Sequence, residues 1–226
     1  MFNYDITEVK ETYNALGDTK IFFPIAEKLV DPLRKIKLTP NNITIISTIC
    51  TFLTIYYLNL DNIHYAVTLY TCGYILDCVD GMMARKYDMT SNYGMALDTV
   101  SDTISNTCII IYLINKYGVD NRSIHMLLFM TLMLNIYNGM NEALSSYEAT
   151  GDDNFYQKKV EQLKSEYNIT SLLYIHIMNI MYKTYKILFP VFNKDRIKKW
   201  LTIMKEFGPG NYCLFFIFIL YSIKKI

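Results

Sequence analysis

The chain has 226 residues, 52% of them hydrophobic and only 19% charged, with a net charge of +1. The apolar residues come in blocks, which fits a polytopic membrane protein better than a soluble domain, and the charge balance leaves no basic excess for nucleic acid. None of the five cysteines (Cys50, Cys72, Cys78, Cys108, Cys213) forms a C-x-x-C pair, so zinc and redox motifs of that kind are excluded and free, buried thiols are expected.

The N-terminal stretch "MFNYDITEVKETYNALGDTK" is polar and acidic. It lacks the basic and apolar regions of a cleaved signal peptide, so the first apolar span is expected to direct insertion and stay in the membrane. Next comes "KIFFPIAEKLVDPLRKIK", where Ile21, Phe22, Phe23, Ile25, Leu29, Val30 and Leu33 alternate with Lys28, Arg34, Lys35 and Lys37 at helical spacing. Pro24 and Pro32 interrupt the run. The pattern predicts an interfacial helix in the headgroup plane, against the alternative of a short soluble helix packed on the protein's own loops. "LTPNN" then reads as a helix start, with Thr39 or Asn41 as cap and Pro40 early in the helix.

Six spans are predicted: Ile43–Leu60, Ile63–Met83, Tyr93–Ile114, Ile124–Leu144, Ile169–Phe192 and Tyr212–Ile223. The last is short of the about 20 residues a crossing needs, and would have to extend into "FGPGN" or accept thinning. Of the two longer connections, Ser145–Asn168 reads as a surface loop or a helical extension, and Asn193–Gly210 as a link between spans five and six. The expected fold is thus all-α, with six transmembrane helices and an N-terminal interfacial amphipathic helix. Residues 1–40 would form a cytoplasmic arm and residues 41–226 a transmembrane catalytic domain. A cytoplasmic N-terminus puts the basic residues before span one, Arg85, Lys86, Lys158, Lys159, Lys164, Lys224 and Lys225 on the inside. "NKDRIKKWLTIMK" runs against that rule, with five basic residues on the expected outside.

The stretch "LDCVDGMMARKYDMTSNYGMALDTVSD", Leu76 to Asp102, holds five aspartates between apolar runs. Asp77 and Asp80 are three apart and share a helix face; Asp98 and Asp102, four apart, share another, with Gly94 one turn earlier. Asp88 lies off both stripes and reads as a solvated loop residue. Two helices meeting at the membrane surface would bring four carboxylates together. Each bare charge would cost roughly 2.5–3.5 kcal/mol at a helix centre, and repulsion adds to that. Bound cations resolve the conflict. Oxygen ligands without His or Cys point to Mg²⁺, Mn²⁺ or Ca²⁺, and there are enough for two ions, an arrangement suited to phosphoryl transfer. Gly81 and Ala84 beside this face would let a flat group approach, and Arg85 offers a fork for phosphate oxygens. Taken singly, the small residues suit a helix crossing, Arg85 and Lys86 suit positive-inside anchors, and one Asp pair suits a cap or ion pair.

The whole pattern, Asp77-x2-Asp80-Gly81-x2-Ala84-Arg85-x8-Gly94-x3-Asp98-x3-Asp102, resembles the signature of the class I CDP-alcohol phosphatidyltransferase family at every specified position. The resemblance implies an integral membrane enzyme of phospholipid biosynthesis. It would move a substituted phosphate from a CDP-linked lipid to a small alcohol, releasing CMP, with two Mg²⁺ or Mn²⁺ ions. It implies Asp77, Asp80 and Asp98 as metal ligands, and Asp102 as the general base and a further metal contact. Gly81, Ala84, Arg85 and Gly94 would serve the CDP donor. "TPNNIT" resembles the family's first-helix entry and adds Asn41 and Thr44 to that side. The family also implies a homodimer and membrane lipids as partners.

The acceptor is less defined. Relatives using phosphate-bearing or inositol acceptors often carry Lys or Arg after the last Asp, where this chain has Thr103; Ser105 is closer to serine-using relatives. Glu142, Lys183 and Lys186 are candidates for an acceptor pocket, against snorkelling and helix-end charge as alternatives. Two other functions fit parts of the pattern. An intramembrane prenyltransferase would generally show two separated acidic motifs, and only one is present. A cation carrier would place carboxylates near the midplane on broken helices, and a scaffold would not need the motif intact.

Overall fold

Side-chain caps set where the helices begin. In the computed structural model, residues 13–150, 168–191 and 193–223 are described, and among them there are helices and turns but no strand. After a π-helical turn, Asp18–Phe22, the helices are α1 (Phe23–Lys35), α2 (Pro40–Asn59), α3 (Ile63–Lys86), α4 (Asn92–Tyr117), α5 (Arg122–Thr150), α6 (Ile169–Leu188), α7 (Lys194–Met204) and α8 (Pro209–Ile223). The side chains of Thr39, Asn62, Ser91, Asn168 and Asn193 each accept a backbone N–H in the first turn of α2, α3, α4, α6 and α7. These are short polar residues that satisfy otherwise orphaned donors. Of the two caps considered for α2, Thr39 takes the role and Pro40 opens the helix.

Three helix ends share one device. Lys37, Asp61 and Asp88 have φ of 65°, 54° and 53°. In each case the next amide donates back across the turn: Leu38 to Leu33, Asn62 to Tyr57 and Met89 to Ala84. This is the Schellman pattern, usually served by glycine and here by polar residues.

The chain divides into two compact units. The first comprises Met1–Asp18 and Phe129–Tyr212, and the second Thr19–Leu128 and Cys213–Ile226. In the second unit, α1 lies on α3, with Ala26 and Val30 buried against Ile43, Val79 and Met83. Asp31 ties them at the rim through Lys86 Nζ at 2.6 Å and Tyr87 Oη at 2.8 Å. α2 and α3 cross at Gly73, where a Cβ would come within 3.2 Å of the Ser47 carbonyl and 3.3 Å of Cys50 Cβ. Ser47 Oγ donates to the Gly73 carbonyl at that crossing, 2.9 Å away. At the other end of α2, Lys116 of α4 donates to Asp61 (2.6 Å) and to the Leu58 carbonyl (2.5 Å). α8 runs antiparallel to α3, with Phe216 against Tyr70 and Tyr221 Oη 3.3 Å from His64 Nδ1.

In the first unit, Ile136, Tyr137, Met140 and Leu144 of α5 pack with Tyr185 and Phe189, and with Ile197, Leu201 and Met204 of α7. α7 is antiparallel to α5: Lys194 and Lys198 reach Glu148, while Phe207 lies against Phe129. Tyr137 Oη donates to the Tyr13 carbonyl, and Asp18 Oδ2 accepts from Gly210 N at 3.1 Å, capping the start of α8 from far along the chain.

Helices occupy all six predicted spans, with shifted ends. Two helical runs, Pro40–Asn59 and Lys194–Ile223, are long and apolar enough to cross a membrane by length and composition. α3 and α4 carry Asp77, Asp80, Asp98 and Asp102 among many Tyr, Thr, Asn and Ser, which lowers their mean hydropathy. α6 stops at Leu188 instead of Phe192, because Pro190 disfavours helical geometry in the residue before it. Phe192 itself lies outside the described residues, as do the N-terminal 12 residues, the segment 151–167 with Lys158, Lys159 and Lys164, and Lys224 and Lys225.

Two expectations need correcting. The link Asn193–Gly210 contains a helix, α7, held by the Asn193 cap and an Ile197, Leu201, Met204 stripe. None of the five cysteines is in a disulfide, but only Cys213 is buried and Cys72 is exposed, since a thiol can face a helix's outer surface. α8 ends at the His64 end of the second unit, opposite Lys86 and α1.

Candidate functional site: an acidic cluster on α3 and α4

The cluster lies wholly within the second unit. One ligand oxygen each from Asp77, Asp98 and Asp102 falls within 4.8 Å of the others, a grouping able to hold a metal ion. Helical spacing places Asp77 and Asp80 on one side of α3, and Asp98 and Asp102 on one side of α4. The packing of the two helices then brings the triplet together. Asp77 Oδ1 is buried and has no hydrogen-bond partner. Three crowded carboxylates and an orphaned buried oxygen fit a divalent cation with hard oxygen ligands, and burial of such oxygens without one is costly.

Asp80 stands beside this triplet with a different neighbour. It is 5% exposed, and Thr44 Oγ1 donates to its Oδ2 at 2.5 Å. Thr44 thus orients a carboxylate of the motif, a role not evident from its place in "TPNNIT". Asn41, one turn earlier on α2, approaches the start of α4: a Cβ on Gly94 would lie 3.1 Å from Asn41 Oδ1 and 3.0 Å from the Ser91 cap. Glycine at 94 allows that approach. Gly81 sits beneath the Arg85 guanidinium, whose Nη1 would be 3.3 Å from an added Cβ. Arg85 is exposed, and Ala84 is half-buried beside it.

Thr103 is exposed, and Ser105 is buried with its hydroxyl donating to the Ser101 carbonyl at 2.6 Å. Ser105 is therefore engaged with its own helix. Glu142, Lys183 and Lys186 belong to the first unit. Lys183 is exposed there, and Lys186 Nζ lies over the Tyr182 ring at 5.4 Å. The spacing rule also passed over the Ser47–Gly73 crossing, which sets the height of α3 against α2. Small and hydroxyl residues at both positions were its only signal.

A family model described as CDP-alcohol phosphatidyltransferase matches residues 37–194. The chain belongs to that family. It is 42% identical over 66 residues to the CDP-diacylglycerol–serine O-phosphatidyltransferase of Bacillus subtilis, covering 29% of this chain and 37% of that protein. It is 33% identical over 84 residues to the archaetidylinositol phosphate synthase of Pyrococcus horikoshii, covering 37% and 45%. Against the CDP-diacylglycerol–glycerol-3-phosphate 3-phosphatidyltransferase of Rickettsia bellii it is 38% identical over 52 residues, covering 23% and 29%. These matches span less than half the length of each relative. No solved structure matches.

Proposed function

We propose that the protein is a membrane-embedded transferase that moves a phosphatidyl group from a CDP-linked lipid to a small alcohol and releases CMP. The observation carrying this reading is the converging Asp77, Asp98 and Asp102 triplet with its orphaned oxygen, within a chain of this family. Asp77, Asp80 and Asp98 would hold two divalent cations, Mg²⁺ or Mn²⁺, with Asp102 as a further contact. Bound there, the cations would supply electrophilic activation of the phosphorus and neutralise charge on the departing nucleotide.

The chain's own residues do the remainder. Asp102 accepts the proton of the acceptor hydroxyl, which needs a base within hydrogen-bond reach. Arg85 holds donor phosphate oxygens in its planar fork. Gly81 and Ala84 leave room for the cytidine nucleotide, and Asn41, Thr44 and Gly94 shape its other side. Glu142, Lys183 and Lys186 stay as acceptor-side proposals.

The outward residues of α2, including Ile45, Ile49, Phe52, Leu53 and Tyr56, are exposed and apolar, as lipid contact requires. α1 would lie in the headgroup plane beside the site, on the cytoplasmic face. The 30-residue run Lys194–Ile223 would cross once, with its basic start on the cytoplasmic side. This satisfies the positive-inside rule for "NKDRIKKWLTIMK". Self-association as a homodimer belongs to the same reading.

The direct test is CMP release from CDP-diacylglycerol by the purified full chain with Mg²⁺ or Mn²⁺ and a panel of alcohols. Asp102→Asn should lower the rate by about 100-fold or more. A near-normal rate in that variant would remove Asp102 as the base.

A further inference from the structure

The first unit holds a second polar constellation, apart from the aspartates. Asn141, Ser145 and Glu148 recur at spacings of four and three along α5, so they form one stripe. On each, a side-chain oxygen is buried with no hydrogen-bond partner: Asn141 Oδ1, Ser145 Oγ and Glu148 Oε2. The Glu148 side chain is 9% exposed. Its other oxygen accepts from Lys198 Nζ at 2.9 Å and Lys194 Nζ at 3.1 Å. Burial pushes the Glu148 carboxyl up, but the hydrogen bonds from Lys198 and Lys194 outweigh it and hold the group below the usual carboxylate range, so it is ionised.

Three features specify a ligand. The orphaned atoms are two acceptors and one hydroxyl, so the inner part of a partner must donate hydrogen bonds. The stripe covers about 10 Å of helix from Asn141 to Glu148, more than one water bridges. Glu148 with two lysines carries a net positive charge, and the lysine side chains are 42% and 39% exposed, so an anionic group is favoured beside them. An ammonium and a hydroxyl on the orphaned oxygens with an anion beside the lysines describe one class of small molecule.

We propose that Asn141, Ser145 and Glu148, with Lys194 and Lys198, bind a small zwitterionic amino alcohol: its ammonium on Glu148 Oε2, its hydroxyl at Ser145 and Asn141, and its carboxylate on the lysines. This binding site stands independently of the transferase reading.

The test measures equilibrium binding of L-serine to the purified full chain in lipid nanodiscs, without CDP-lipid or added metal, beside glycerol and glycerol 3-phosphate. Saturable binding of serine is expected, with glycerol and glycerol 3-phosphate weaker by about tenfold or more, because neither carries the ammonium. Glu148→Gln and Ser145→Ala should each weaken serine about tenfold, and Ser145→Ala carries the test if Glu148→Gln fails to fold. No saturable serine binding, which would mean the stripe holds only water, overturns the proposal. So does serine binding that both folded variants retain, or glycerol 3-phosphate binding as tight as serine. CMP release is followed separately. Serine binding without CMP release from any acceptor would leave this site standing and remove the transferase reading; CMP release without serine binding would do the reverse.

Discussion

Asp88 and Thr44 show how much a single residue's role depends on its surroundings. Asp88 looked like a solvated loop charge, and it is exposed, but its φ of 53° makes it the left-handed residue that closes α3. Glycine adopts that conformation without a Cβ penalty, whereas a β-branched residue does not. Asp88→Gly should therefore keep full activity and stability, while Asp88→Val should lose about 1 kcal/mol, read from thermal unfolding in detergent. Thr44 donates to the buried Asp80. Thr44→Val keeps the shape and removes that donor, which should cost about 1–3 kcal/mol of stability; Thr44→Ser should restore it. If Val and Ser behave alike in chelator-treated protein, the hydroxyl is not what holds Asp80. Neither role was legible from spacing, because spacing records which face a residue occupies and not which atom meets it across the helix gap.

At the scale of elements, most boundaries were legible because caps and breakers act locally. Thr39, Asn62 and Ser91 start helices where a short polar side chain precedes an apolar run, and Pro190 stops one. α7 was missed because it is too short and basic for a membrane span, although Ile197, Leu201 and Met204 mark its buried stripe. α1 is pinned to α3 by Asp31. A hydrogen bond from Lys86 leads the causes that hold the Asp31 carboxyl below its ordinary range. A depressed folded value means that this tie is present at neutral pH and is lost as pH falls through the folded value, below the usual carboxylate range. The pair is half exposed, so its effect on global stability should be small. Asp31→Asn should instead speed hydrogen exchange in α1 at pH 7. Acidification should bring the wild type toward the variant, and unchanged exchange in the variant would mean that packing alone holds α1.

For the whole molecule, the direction of α8 gives a topology that can be tested. Its Tyr221 meets His64 at the end of α3 away from Lys86 and α1. Short tags placed ahead of α1 and after Ile226 should accordingly label from opposite sides of sealed vesicles with a membrane-impermeant reagent. Labelling of both from one side would contradict a crossing by Lys194–Ile223 that starts on the cytoplasmic side.

By itself the sequence determined the helices and the faces that Asp77, Asp80, Asp98 and Asp102 share. Intrahelical hydrogen bonds impose the 3.6-residue period whatever the helix packs against. The tertiary structure decided the rest. It joined Asp77 to Asp98 and Asp102, gave Asp80 to Thr44, and brought Glu148 to two lysines of a helix that lay hidden in a connection. Those pairings depend on the height and rotation of one helix against another, set at contacts such as Ser47 with Gly73, and these contacts join residues far apart in the chain.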